Sequence, residues 1–127
     1  MKEKDIQQLF VAWLKAHDIK VSASFNGVMI PDGGDTRLKW KIINSMKAAG
    51  LAKGFPDLFI PVPNKGHHGL FIELKASKGK VSEEQEEWLA YLNKMGYKAV
   101  VAYGLEQAVK VVEEYLDRKI RDNDKIL

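Results

Sequence analysis

Hydrophobic positions along this chain switch between a helical period and a strand period, with a turn signal at nearly every switch. From Glu3 to His17, Ile6, Leu9, Phe10, Trp13 and Leu14 recur at helical spacing, and turn-prone Asp18 closes the segment. Val21 to Phe25 alternates as a short strand, and Asn26-Gly27 is a hairpin signal before a further short strand, Val28-Met29-Ile30. Pro31-Asp32-Gly33-Gly34-Asp35 reads as a turn, followed by a helix from about Thr36 to Ala49 that Gly50 stops as a C-terminal cap. Asp57 to Val62 is a strand, Pro63 to His68 a turn, and Gly69 to Lys75 a second strand. After Lys78-Gly79-Lys80, a helix starts at Ser82 and runs to about Met95; Gly96 closes it before the strand Lys98–Tyr103. Gly104 leads into a last helix that ends near Asp117. The predicted order is α-β-β-α-β-β-α-β-α. Residues 69–75, 82–95 and 98–103 make a βαβ unit with a right-handed parallel crossover, and 57–62 joins as an antiparallel hairpin partner. The expected architecture is α/β, a mixed sheet flanked by helices.

Composition narrows the class. The chain has 127 residues, 46% hydrophobic and 29% charged, which fits one globular domain spanning 1–127. Apolar runs such as Leu58–Ile60 and Ala99–Tyr103 are far shorter than the roughly 20 residues of a membrane span. No apolar segment behind the charged start suits a signal peptide, so an intracellular, cytoplasmic protein is expected. With no cysteine, disulfides and thiolate metal sites are excluded. The net charge of +3 permits a polyanionic partner, and because 17 of the 20 basic residues are lysine, phosphate contacts are favoured over base readout.

The chemistry concentrates in the central hairpin. Side chains alternate along a strand, so Glu73 and Lys75 share one face and Leu70, Ile72 and Leu74 the other. With Val62 opposite Gly69, Asp57 falls opposite Leu74, within a residue of both Glu73 and Lys75; cross-strand neighbours lie about 4.5–5.5 Å apart. Two adjacent carboxylates repel, and a hard divalent cation relieves that repulsion through oxygen ligands, to which the Leu74 carbonyl adds one. Such an ion polarises a phosphoryl oxygen and lowers the pKa of a bound water, while Lys75 orients or deprotonates that water or offsets the charge on the phosphate. Spacing alone equally admits a Glu–Lys pair at a solvated strand end, with Asp57 simply starting a strand.

Gly54-Phe-Pro56-Asp57-Leu-Phe-Ile followed by Phe71-Ile-Glu73-Leu-Lys75 resembles the PD-(D/E)xK nuclease motif. The surroundings are similar to one branch of it, the VRR-NUC domain of phage and bacterial proteins and of a eukaryotic repair nuclease. Glu3-x-x-Ile6-Gln7, Ala48-Ala-Gly-Leu-x-x-Gly54, Ser82-x-x-Gln85-x-x-Trp88-Leu, Gly96-Tyr-x-Ala-Val-Val-Ala and Tyr115-Leu116 carry that likeness over nearly the whole chain. Asn26 to Asp35 departs from it, being more acidic than the compact Asn-Gly-Gly turn and basic residues often found there. The resemblance implies a restriction-endonuclease-like sheet, Asp57 and Glu73 as ligands of Mg²⁺ or Mn²⁺, Glu3 as an accessory acidic ligand, Lys75 as catalytic lysine and Gln85 as a site residue. It implies no organic cofactor.

Two of these have competing readings. By helix geometry Glu3 lies about 55° from the centre of the apolar stripe of its helix and can lean inward, though it equally suits the first turn's dipole. Gln85 closes a capping box with Ser82, yet its position also faces the core, where its amide needs partners. His67-His68 reads as a loop pair without a third metal ligand. Trp13 and Trp88 read as core, whereas Trp40, set among Arg37, Lys39 and Lys41, suits either a phosphate-tracking segment or a partly buried amphipathic helix. Lys53, Lys78, Lys80, Arg37 and Lys39 are the candidate DNA contacts. The expected function is a metal-dependent DNA endonuclease, prokaryotic or phage-encoded, working as a homodimer on branched DNA such as Holliday junctions. The alternatives are a flap- or end-processing nuclease and a non-catalytic nucleic-acid-binding module.

Overall fold

The computed structural model describes residues 1–24 and 34–117. Their elements, in chain order, are α1 (Glu3–Ala16), β1 (Ser22–Ala23), α2 (Thr36–Ala48), β2 (Leu58–Ile60), β3 (Leu70–Lys75), α3 (Glu83–Lys94), β4 (Lys98–Tyr103) and α4 (Gly104–Leu116). The expected hairpin at Asn26-Gly27 and the strand 28–30 lie outside the described residues. The rest follows the predicted order, in a four-stranded sheet arranged β1-β2-β3-β4. β3 pairs with β2 antiparallel and with β4 parallel, as the hairpin and βαβ pattern require.

β3 sits at the heart of the molecule, every residue buried. One face (Leu70, Ile72, Leu74) packs with Ile6, Phe10 and Leu14 of α1 and Ala108, Val112 and Tyr115 of α4. On the other, Phe71 joins Phe55, Phe59, Trp88, Leu89 and Tyr97 beneath α3. Phe59 stacks on Phe71 with ring centroids 4.4 Å apart, and Phe55 meets Trp88 edge-on at 5.0 Å. The strand is therefore covered by helices on both faces, as a parallel-paired strand requires. Its polar end, Glu73-Leu74-Lys75, is carried into this cover rather than out to water.

The hairpin register differs from the expected one by a single residue, with a visible cause. At the turn, Asn64 bridges His67, with Lys65 at φ 51 and Gly66 at φ 81, the paired positive values of a tight hairpin turn. Continuing that pairing would set Asp57 against Leu74. Instead β2 and β3 pair Leu58 with Ile72, Phe59 with Phe71 and Ile60 with Leu70. The β2 side thus holds one extra residue, at Pro61, which has no N–H for the ladder; the Val62 N–H donates back to the Ile60 carbonyl at 2.9 Å. The same break ends β2 at Ile60, short of the predicted 62. Extending the observed ladder one step sets Asp57 opposite Glu73, on the same face.

α2 forms where expected, with Asp35 as N-cap accepting from the Arg37 N–H at 2.9 Å. It buries none of its residues. Trp40 is 57% exposed and Leu38 56%, so of the two readings left open for this segment the partly buried amphipathic helix does not hold.

Candidate active site

Asp57, Glu73 and Lys75 come together at the end of β2 and β3. Asp57 follows fully buried Pro56, and its backbone stays on the sheet because the Ser24 N–H donates to its carbonyl at 2.9 Å. Its carboxylate reaches across the hairpin and accepts from the Leu74 N–H at 2.8 Å through Oδ2. Glu73 is 2% exposed and Lys75 7%, with Lys75 Nζ 3.8 Å from Glu73 Oε2. A pair so enclosed is not the solvated strand end that spacing alone admitted.

Gln85 makes both of the contacts that the sequence set against each other. Ser82 and Gln85 close a full capping box, with Gln85 Oε1 accepting from the Ser82 N–H at 2.8 Å. The amide nitrogen of the same head group points inward, and Nε2 donates to Glu73 Oε2 at 2.9 Å. The loop carrying Asp57 is fitted to the same helix turn. Gly54, at φ +87, packs so tightly that an added Cβ would stand 2.6 Å from the Glu84 backbone carbon and 2.7 Å from the Gln85 nitrogen.

The electrostatics of the trio are out of balance. Burial pushes the Glu73 carboxyl up to about 8, and the neighbouring Asp57 adds to the rise against the pull of Lys75. Burial also raises Asp57, opposed by the Leu74 N–H. Glu3, exposed at the start of α1, adds to both shifts through its charge. Glu73 Oε1 is buried and has no hydrogen-bond partner, the one such side-chain atom among the described residues. A lone buried oxygen beside a second carboxylate is the donor set a hard cation satisfies. Among the described residues no three His, Cys, Asp or Glu side chains cluster closely enough to hold a metal together, so Glu3 stands outside the Asp57–Glu73 pair.

This imbalance has a consequence for stability. Below the unfolded value near 4.5 Glu73 is protonated in both states and costs nothing; as pH rises through about 8 the folded protein must carry its charge, and stability is lost. Glu73→Gln removes that titration and leaves Asp57 and Lys75 as a balanced pair. With chelator present at pH 8.5, the variant is expected to be more stable by about 2 kcal/mol, the scale of an unsatisfied buried group. The difference should shrink toward pH 5. Thermal unfolding of both proteins across this range checks it; a variant less stable than the parent at pH 8.5 would contradict the reading of Glu73 as strained.

The basic candidates spread more widely. Lys78 and Lys80 are exposed just beyond β3, and Arg37 is exposed on α2, where Lys39 is half-buried. Lys53 Nζ lies 3.4 Å from Glu84 Oε1 in a solvent-exposed pair. His67 and His68 sit in the hairpin connection, with His68 against Gly96 and Tyr97. Sequence reasoning missed Tyr91, 53% exposed on α3 beside Trp88; their spacing of three along a helix was the available signal.

The sequence profile of the VRR-NUC domain matches residues 1–106. The chain belongs to the VRR-NUC family. A solved structure described as a VRR_NUC domain protein superposes with a TM-score of 0.75 at 26% identity, covering 100% of this chain and 98% of the other. No curated protein sequence matches the chain significantly. Membership gives this VRR-NUC domain a nuclease-type fold, and the mixed sheet with its four described helices agrees with the solved relative.

Proposed function

We propose that this chain is a divalent-cation-dependent DNA endonuclease that hydrolyses phosphodiester bonds. The observation that carries the reading is the unpartnered Glu73 Oε1, buried beside Asp57 with Lys75 as the adjoining cation. Asp57, Glu73 and the Leu74 carbonyl would hold Mg²⁺ or Mn²⁺; Glu3, exposed at the start of α1, adds only its charge to the field at that pair. When bound, the ion supplies Lewis acidity at the phosphoryl oxygen and a more acidic water.

The chain's own groups do the remainder. The Leu74 N–H fixes Asp57 Oδ2, and Gln85 Nε2 fixes Glu73 Oε2, so both carboxylates are aimed before substrate arrives. Lys75 Nζ orients the attacking water and offsets negative charge on the phosphoryl oxygens. Water adds to phosphorus and gives up a proton to solvent, one P–O ester bond breaks, and the departing oxygen takes a proton from solvent. The phosphate backbone would lie against Lys78 and Lys80, with Arg37, Lys39 and exposed Trp40 of α2 as an outer contact, while Lys53 stays paired with Glu84. Branched DNA such as a Holliday junction, cut by a homodimer with one site per strand, is the substrate proposed.

The experiment is direct. Purified protein is incubated with four-way, flapped and linear DNA, with Mg²⁺, with Mn²⁺ or with chelator. Cleavage that requires a cation and is fastest on the four-way substrate is expected. Binding without cleavage of any substrate would replace the enzyme with a binding module.

A further inference from the structure

Away from Asp57, Glu73 and Lys75, the face of α3 next to Gln85 opens a cavity. It has a volume of about 410 Å³ and is lined by Lys53, Glu84, Glu87, Trp88 and Tyr91, within the size range of small-molecule sites. Two aromatic rings stand at right angles in it, Trp88 and Tyr91, with an interplanar angle of 88° and centroids 5.9 Å apart. Two carboxylates and one ammonium complete the lining. That charge balance is wrong for a phosphate, which Glu84 and Glu87 would repel. It suits a flat, neutral group with amino hydrogens to donate and carbonyl oxygens to accept: carboxylates take hydrogens from exocyclic amines, a lysine donates to ring carbonyls, and a ring face stacks on an aromatic. Position adds to chemistry. The cavity begins at Glu84, one residue before the glutamine that holds Glu73, and Lys53 adjoins the glycine packed on that same turn.

We infer that this groove receives one unpaired nucleobase of the DNA strand whose backbone lies at the Asp57–Glu73 pair. The inference rests on the nuclease reading for the presence of DNA there, and it adds a preference: the substrate carries an unstacked base next to the cleaved phosphate. A continuous linear duplex offers none, whereas the branch point of a four-way junction frees a base when the pair at the crossing opens. Tyr91 supplies the exposed stacking face, Lys53 and the two glutamates the polar edge.

The test uses the intact protein in chelator, so that no strand is cut. Oligonucleotides with an unpaired arm carry 2-aminopurine at successive positions, and its fluorescence reports stacking. One position is expected to be quenched on binding, with the response lost in Tyr91→Ala and kept in Tyr91→Phe. An abasic spacer at that position is expected to weaken binding about tenfold in the parent protein and to have no further effect in Tyr91→Ala. Equal responses at all positions, or an unchanged response in Tyr91→Ala, would overturn the groove. If Mg²⁺ then gives cleavage, the nuclease reading survives that loss. A single responding position without cleavage in Mg²⁺ would keep the groove and remove the nuclease. An absence of binding to every oligonucleotide would overturn both.

Discussion

Lys75→Ala is expected to slow DNA cleavage by on the order of 10²–10³-fold, the usual cost of removing a group placed against charge that develops in the transition state, with DNA affinity nearly unchanged. The two effects separate because Lys75 is 7% exposed at the end of β3 and faces Glu73 rather than the outer surface along which phosphates track. Removing the ammonium also leaves two carboxylates without their nearest counter-charge, which costs folding stability. Far-UV circular dichroism therefore accompanies the rate measurement, and Lys75→Gln, one atom shorter but with a hydrogen-bonding head, serves as the second variant. Full cleavage by either folded variant would remove the lysine from the mechanism.

Gly54→Ala is expected to destabilise the protein by about 2–4 kcal/mol, the sum of a left-handed backbone cost and an overpacked contact. The clash is with backbone, the Glu84 carbon at 2.6 Å and the Gln85 nitrogen at 2.7 Å, so no flexible side chain can yield. Relief requires the loop before Asp57 to part from the first turn of α3, and that movement separates Gln85 from Glu73. Cleavage should fall along with the midpoint of urea unfolding. A variant with an unchanged midpoint would show that loop and helix are not in the contact described.

Much of this architecture was legible because its signals are local. Asp35 and Ser82 mark two helix starts through their own side chains, and Ile6, Phe10 and Leu14 mark the buried stripe of α1 by spacing alone. The convergence of Asp57, Glu73 and Lys75 was legible too, although the assumed register was wrong by one. Counting from the turn cannot reveal the bulge, because whether Pro61 stays in the ladder depends on how Leu58 and Ile60 seat in the core. The bulge moves Asp57 from the face of Leu74 to that of Glu73, so the site is tighter than the sequence indicated. Gln85 was unreadable in another way. Its cap uses the oxygen and its inward contact the nitrogen of one carboxamide, and a one-letter pattern shows only that both are possible. For α2, an apolar-basic alternation predicts a helix but not what covers it.

The capping box of α3 has a wider implication. One carboxamide both starts a helix and steadies an acid, so chemical competence and local secondary structure rise and fall together. On the proposed function, fraying of that first turn is expected to release Glu73 and silence the site without touching a reacting group.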